Sequence, residues 1–246
     1  MKTRSSNSIT ILLLTVLSLT LAATGGYAQE NTAAAVTQWL DSSEFKALAD
    51  DPALAFKQVS PADVRAADIA RFPESITDNR VTDANEVAKL RLRLAPLFDY
   101  AKDAAALELI IIRDEAPLVL LAEKSALIFS TGALSLLPDR ELRAVAAHEL
   151  AHIYFFNDLL EMALSKKFEG LRLLELKCDV IGMLIIERAG GCLQDLICAL
   201  RRIYDYEKSH NQDADRASIY PTLPEREAVA RQVRAFLNNR QRRTQT

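Results

Sequence analysis

The sequence predicts a mostly helical α+β protein, in which a small antiparallel sheet lies beside a bundle of helices. Apolar residues recur at helical spacing through most of the 246 residues, half of which are apolar. Residues 107–114 and 117–134 are instead rich in Ile, Val, Leu and Phe, which indicates strands. The polar residues "AEKS" at 122–125 interrupt the second run and predict a hairpin turn.

The first 28 residues have the organisation of a secretory signal peptide. Lys2 and Arg4 precede an apolar run, and the small residues Gly26 and Ala28 flank a cleavage site after Ala28. The run is about 15 residues, short of the ~20 that span a bilayer, but an uncleaved N-terminal anchor stays open as the alternative. We therefore expect a mature chain with no transmembrane segment, either periplasmic or secreted. The formal net charge of -3 gives no indication of a nucleic-acid partner.

Four segments follow from composition and turn signals. After the signal peptide, residues 29–83 read as a helical N-terminal extension, in which Ser60 before a proline resembles a helix start. The polar, turn-like residues 73–83 mark a boundary. Residues 84–238 form the main domain, and 239–246 a flexible basic tail.

The main domain should begin with a helix and, after the strands, continue as helices to its end. Asp139 is the candidate N-cap of the helix that carries the motif discussed below. The later helices are predicted at 158–188, ending at Gly190-Gly191, at 193–208 and at 223–238, the last opened by a capping box of Thr222 and Glu225.

The three cysteines cannot all pair within one chain. Export permits disulfides, but Cys192 and Cys198 are six residues apart on one predicted helix, which is too far to bridge. We expect buried free thiols, with a bridge from Cys178 to one of the other two as the alternative.

The motif "HELAH" at 148–152 carries the chemistry. Residues four apart on a helix project from one face, so His148 and His152 can aim imidazole nitrogens at one zinc ion about 2 Å away. Glu149 lies one residue round the helix and could act as general base on a water that the metal activates. The alternative is an ordinary amphipathic helix. The flanking residues are nearly all apolar, however, and burying these three side chains without a partner would be costly.

A catalytic zinc needs a third protein ligand, and we predict Glu175. Glu175 and Asp179 are four residues apart in an otherwise apolar segment, and Gly182 continues their face. Asp179 could then accept the second ring N–H of a ligand histidine.

Two alternatives to this ligand stay open. Glu161 and Glu169 are rival ligands, although neither has an acidic residue one turn later. Glu175 and Asp179 could also form surface ion pairs with Lys177 or Arg172, in which case neither would serve a metal.

The H-E-x-x-H motif is typical of metalloproteases, which hydrolyse amides. This reaction also needs a hydrogen-bond donor for the oxyanion of the tetrahedral intermediate. The candidates are Tyr220 and His210, with Arg226 and Tyr154 behind them. Each offers an N–H or O–H group that could assist the transition state or gate the site.

The motifs "ELRAVAAHELAH" and "ELKCD" resemble those of the HtpX-like and CAAX-prenyl-endopeptidase-like zinc metallopeptidases, and "YPTLPER" is similar to their His-Pro-x-x-x-x-Arg pattern. The resemblance covers roughly 84–238. It implies a gluzincin-type site with one zinc ion per chain, held by His148, His152 and Glu175, with Glu149 catalytic. The segment between His152 and Glu175 lacks a membrane-spanning insertion, as in the soluble periplasmic branch.

Two departures from that family concern activity. Tyr220 stands where the family usually has His, and the strand at 116–125 lacks the family's Asn-Ala and Gly pair. The expected function is a zinc-dependent metalloendopeptidase that hydrolyses peptide bonds of exported proteins, and the resemblance suggests misfolded envelope proteins. The alternative is a zinc-binding, weakly active or inactive homologue that binds protein clients.

Overall fold

The computed structural model describes residues 32–56, 74–122, 124–165, 170–210 and 220–244. The predicted signal peptide and the predicted helix start at Ser60 lie outside these ranges.

Helices dominate the described residues, as predicted. In chain order they are α1 (Thr32–Leu40), α2 (Ser43–Asp50), α3 (Glu74–Thr77), α4 (Ala84–Tyr100), α5 (Thr131–Leu136), α6 (Asp139–Ala151), α7 (Phe156–Ser165), α8 (Leu171–Arg188), α9 (Leu193–Ser209) and α10 (Leu223–Thr244). Two short 3₁₀ segments cover Pro52–Phe56 and Lys102–Ala106. The strands are β1 (Glu108–Ile112), β2 (Val119–Ala122) and β3 (Ala126–Ser130).

The three strands form a mixed sheet in the order β1-β3-β2. The predicted hairpin exists, because β2 and β3 are antiparallel. The prediction of an antiparallel sheet is nevertheless wrong for β1, which runs parallel to β3 with Leu109 opposite Leu127. Residues 113–118 connect β1 to β2, and β3 lies between these two strands in the sheet. This order leaves β2 at an edge of the sheet, beside α6.

Both faces of the sheet are covered, which explains why its strands are apolar throughout rather than alternating. Leu109, Leu127 and Phe129 point into the main helical core. Ile110 and Ile128 point to the other face, where they form a smaller cluster that includes Ile76 of the short helix α3.

The centre of the molecule is the pair α6 and α8, which approach backbone to backbone. A Cβ atom on Gly182 would lie 2.9 Å from both Cα and N of His148, so the position admits no larger residue without a shift. The N-terminal helices pack into the same core through Trp39, Phe45 and Leu48. The described part of the predicted extension therefore belongs to the main body.

The predicted helix 158–188 is wrong as a single element, since the structure has α7 and α8 in its place. Helix α8 starts after Gly170, and glycine is a poor residue for a helix interior. The predicted end is right: Gly190 has a φ of 81°, the left-handed conformation that commonly follows a helix.

The last helix starts where predicted but ends later. Glu225 accepts from the backbone N–H of Thr222 at 2.8 Å, which is the backward arm of the expected capping box. Helix α10 then continues to Thr244 instead of ending at 238, because the predicted tail contains good helix formers and Arg240 pairs with Asp50. At the other end of the motif helix, Pro138 rather than Asp139 occupies the N-cap position.

The three cysteines are free, so the alternative disulfide does not form. The expectation of burial holds for Cys178 but is wrong for Cys192, which is exposed. Within the residues that the structure describes, no helix is both long and apolar enough to cross a membrane.

Candidate metal centre

Helix α6 places the two motif histidines on one side. The rings of His148 and His152 have centroids 5.1 Å apart and are inclined by 85°. His152 follows the last helical residue, but its backbone is still right-handed helical, with φ -61° and ψ -22°. The four-residue spacing therefore keeps its helical geometry up to the second histidine.

Helix α8 brings Glu175 against both rings. Its Oε2 lies 3.4 Å from Nε2 of His148, and its Oε1 lies 3.6 Å from Nε2 of His152. The three ligand atoms lie within 4.8 Å of one another, and His148 and Glu175 are buried. This cluster could hold a metal ion.

The donor set fits a small divalent cation. Ligand atoms about 2.0–2.2 Å from a tetrahedral ion are separated by roughly 3.3–3.6 Å, and each histidine Nε2 lies at about this distance from one of the two Glu175 oxygens. Two imidazoles and one carboxylate suit zinc, and they also suit other first-row divalent metals. Three protein ligands leave one position open, as in catalytic rather than structural zinc sites.

Asp179 lies where the second ring nitrogen of His148 can reach it. Its Oδ1 is 2.8 Å from Nδ1 of His148, although the N–H direction deviates enough that Nδ1 lacks a well-aligned hydrogen bond. Burial lowers the pKa of His148, but the interactions with Asp179 and Glu175 outweigh it and raise the pKa to about 10. The metal-free ring is therefore cationic and must lose a proton when a metal binds.

His152 has a different environment. Its Nδ1 lies 3.4 Å from the sulfur of the buried Cys178. Burial lowers the pKa of His152 to about 4, so its ring is neutral, as a metal ligand must be. Burial raises the pKa of the Cys178 thiol, which therefore stays protonated near neutral pH.

Glu175 is ionised, as a carboxylate ligand should be. Burial alone would raise its pKa, but the neighbouring His152 and His148 outweigh burial and hold the pKa at about 2.

Glu149 is buried beside the cluster and fixed by the sheet. Its Oε2 accepts a hydrogen bond of 3.0 Å from the backbone N–H of Leu121, on the edge strand β2. Burial raises the pKa of Glu149 to about 7. A carboxyl group with such a pKa can take up and release protons near neutrality, which is what a general base requires.

Arg226, at the start of α10, contacts two carboxylates of the site. Its guanidinium lies 2.5 Å from Oδ1 of Asp179 and 3.5 Å from Oε2 of Glu175, and its Nε donates to the carbonyl of Pro221. The side chain is buried. It therefore balances two buried carboxylates and ties the segment before α10 to the site.

A cavity of about 580 Å³ opens in front of the cluster and of Glu149. Tyr220 and Arg226 line the cavity. Two of the four side chains that the sequence offers as donors to the oxyanion are therefore at the site. The apolar lining of the cavity comes from the start of β2 and the residue before it, from α6 and α9, and from the start of α10. It includes Leu118, Val119, Val145, Leu196, Leu200, Ile203 and Leu223.

The other two candidates lie elsewhere. His210 is exposed at the end of α9, where its ring stacks on Tyr206 and its Nδ1 lies 2.8 Å from the Tyr206 carbonyl. Tyr154 faces Glu44 of α2, whose carboxylate contributes to a raised pKa of the phenol after the larger effect of burial. Neither residue lines the cavity.

Of the two rival ligands, Glu161 does not join the cluster. Glu161 lines a separate shallow pocket on α7, and Glu169 lies outside the described residues. The alternative surface pairs are also wrong: Arg172 pairs with Glu225, and the Lys177 ammonium lies over an aromatic ring.

Two features of the site are missing from the sequence interpretation. Cys178 immediately precedes Asp179 and is three residues after Glu175, so helical spacing already placed it near the ligands. The contact of Glu149 with Leu121 joins residues distant in the sequence, and the sequence contains no signal for it.

No family model matches the sequence, and no curated protein matches it either. The structure thus defines a class of site, a buried two-histidine, one-carboxylate centre in a mostly helical α+β protein. The assignment to a metallopeptidase family therefore remains a resemblance carried by the motifs quoted above.

Proposed function

We propose that the protein is a zinc-dependent metalloendopeptidase that hydrolyses peptide bonds of exported proteins. The observation that carries this proposal is the buried cluster of His148, His152 and Glu175, with the carboxylate of Glu149 beside it and an apolar cavity in front. An isolated metal-binding site would need neither the second carboxylate nor the cavity.

The residues divide the chemistry among them. His148, His152 and Glu175 would hold the zinc ion, which when bound supplies Lewis acidity toward the substrate carbonyl and lowers the pKa of water. Glu149 would take a proton from the attacking water and give it to the leaving amine. The hydrogen bond from Leu121 keeps this carboxylate at the cavity wall.

Tyr220 supports the proposal as a donor to the developing oxyanion. It lines the cavity, and a phenol O–H can donate a hydrogen bond as the family's histidine would. The sequence analysis offered Arg226 as a group that assists the transition state or gates the site. Its ion pairs with Asp179 and Glu175 instead give it the role of holding these two carboxylates in place.

The cavity supports a polypeptide substrate. Its walls are largely apolar, which favours burial of an apolar substrate side chain next to the cleaved bond. The edge strand β2 borders it and offers backbone groups to an extended chain. The choice of exported, misfolded envelope proteins rests on the signal-like N-terminus and on the resemblance.

The test is zinc content and cleavage of an unfolded protein by the purified mature chain, with Glu149→Gln as the variant and Glu161→Gln as the matched control. We expect stoichiometric zinc in all three proteins. Chelator-sensitive cleavage should occur in the wild type and the control and be lost in Glu149→Gln. Stoichiometric zinc without chelator-sensitive cleavage would contradict the proposal.

A second candidate is a zinc-binding, weakly active or inactive protein that binds clients. The observation that favours it is Tyr220, which replaces the histidine of the family pattern at the cavity wall. Zinc binding and retention of an unfolded protein without its cleavage would support this alternative.

A further inference from the structure

The two histidines of the cluster have unequal outer partners, and both partners come from α8. Asp179 lies against Nδ1 of His148, and Cys178 lies against Nδ1 of His152. Glu175, one turn earlier on the same helix, contacts both rings. One helix thus presents a ligand and, at two adjacent positions, the groups that face the outer nitrogens of the two histidines.

We propose that Cys178 is a positioning residue whose sulfur accepts the Nδ1–H of His152 and so directs Nε2 of that ring toward the metal. The inference rests on the metal site proposed above and adds one residue to it. A histidine that ligates through Nε2 must carry its proton on Nδ1, and the partner of that N–H fixes the tautomer and the orientation of the ring.

The distances favour this direction of the hydrogen bond. At 3.4 Å, Nδ1 and the sulfur are within the normal range for a bond that involves sulfur. Nε2 of His152 lies 3.6 Å from Oε1 of Glu175, which is too long for an N–H donor. Hydrogen on Nδ1 therefore has a hydrogen-bond partner in the Cys178 sulfur, whereas hydrogen on Nε2 would have, among the described residues, no protein acceptor closer than the Glu175 oxygen at 3.6 Å.

The use of a thiol instead of a carboxylate follows from the local charges. Glu149, Glu175 and Asp179 are already three buried carboxyl groups, and Arg226 is a buried cation that pairs with two of them. A fourth carboxylate, at position 178, would add one more buried negative charge to this group. A sulfur atom accepts the hydrogen bond without adding charge.

The test compares Cys178→Ala and Cys178→Ser with the control Cys198→Ala, a half-buried cysteine on α9 that does not line the cavity. The first measurement is the tautomer of His152 in the metal-free protein, by long-range proton–nitrogen NMR. We expect the Nδ1–H tautomer in wild type, serine variant and control, and a mixture in the alanine variant. An unchanged tautomer in Cys178→Ala would overturn the proposal, whether or not the protein binds metal.

The second measurement is zinc affinity by competition with a chromophoric chelator. We expect the affinity to fall by about 10- to 100-fold in Cys178→Ala and to stay within about threefold of wild type in Cys178→Ser and in the control. Equal zinc affinity in Cys178→Ala would refute the positioning role, whereas a wild type without zinc would instead refute the proposed function. If the alanine variant does not fold, the Nδ1–H resonance of Cys178→Ser decides: it must shift, and an unmoved resonance contradicts the contact.

The third measurement separates positioning from ligation. Cobalt(II) substituted into the wild type should give the d–d absorption of a site without sulfur ligands. A thiolate-to-cobalt charge-transfer band that disappears in Cys178→Ala would show that Cys178 is itself a ligand, and would overturn the proposal.

Discussion

Replacing Arg226 by alanine is the perturbation that most directly examines how the candidate site is held together. The guanidinium is buried and lies 2.5 Å from Asp179 and 3.5 Å from Glu175. Asp179 is completely buried, so water cannot replace the lost cation. The substitution therefore removes one of the two positively charged groups, Arg226 and His148, that face this buried carboxylate.

The expected loss of stability is large. Removing one partner of a buried ion pair typically lowers the free energy of unfolding by about 3–5 kcal/mol. His148, whose raised pKa makes it cationic in the metal-free protein, still faces Asp179 and keeps the expected loss near the lower end of that range. Bound zinc should recover part of the loss, because the ion adds positive charge next to Glu175.

The assay is urea unfolding of the metal-free and zinc-loaded proteins, followed by the fluorescence of the single tryptophan, Trp39, which is buried in the core. Arg201→Ala is the matched control, because Arg201 pairs with Glu227 at the surface and its loss should change stability little. A loss below about 1 kcal/mol in metal-free Arg226→Ala, comparable with the control, would refute the view that Arg226 compensates the buried carboxylates.

Three further predictions concern helix packing and pH. Gly182→Ala places a Cβ atom 2.9 Å from the backbone of His148 and should therefore push α6 and α8 apart. We expect the free energy of unfolding in urea to fall by about 1–3 kcal/mol and zinc binding to weaken. Unchanged zinc affinity would contradict this. Burial raises the pKa of Glu225, but hydrogen bonds from Arg172 and Thr222 outweigh it and lower the pKa. The ionised Glu225 therefore stabilises the fold above its unfolded pKa, and this stabilisation is lost as the pH falls through the folded pKa. In Glu225→Gln, the free energy of unfolding should fall less steeply as the solution is acidified. An unchanged acid dependence would count against the pair of Glu225 with Arg172. The metal-free pKa of Glu149 is about 7, and a bound cation lowers it, so kcat/KM should rise with pH along a limb at or below pH 7. The absence of any such limb down to the lowest pH at which the protein stays folded and keeps its metal would remove Glu149 as the base.

Helical periodicity made the centre of the site predictable. The spacing of His148 and His152, and of Glu175 and Asp179, places each pair on one face of a helix whatever the surrounding fold. Their apolar neighbours indicated that the two faces meet in the interior. The structure brings His148, His152 and Glu175 together. It also places Asp179 against His148.

Features that depend on distant pairing were not predictable in the same way. The parallel pairing of β1 with β3 is decided by which strand fills the neighbouring position, and the strand sequences themselves are equally apolar. His210 is polar and lies near Tyr220 in the sequence, yet its ring stacks on Tyr206 and it does not line the cavity. The ion pairs of Arg226 join α10 to α8, and no local pattern encodes such a contact.

The central claim is that His148, His152 and Glu175 together hold the metal on which activity depends. The most direct measurement is the zinc dissociation constant of the wild type and Glu175→Ala, with Glu161→Ala as the control carboxylate outside the cavity. The account predicts one zinc ion per chain in the wild type and the control, with affinity at least about 100-fold weaker in Glu175→Ala, because a first ligand matters no less than its outer partners. Equal zinc affinity in Glu175→Ala and wild type would contradict it.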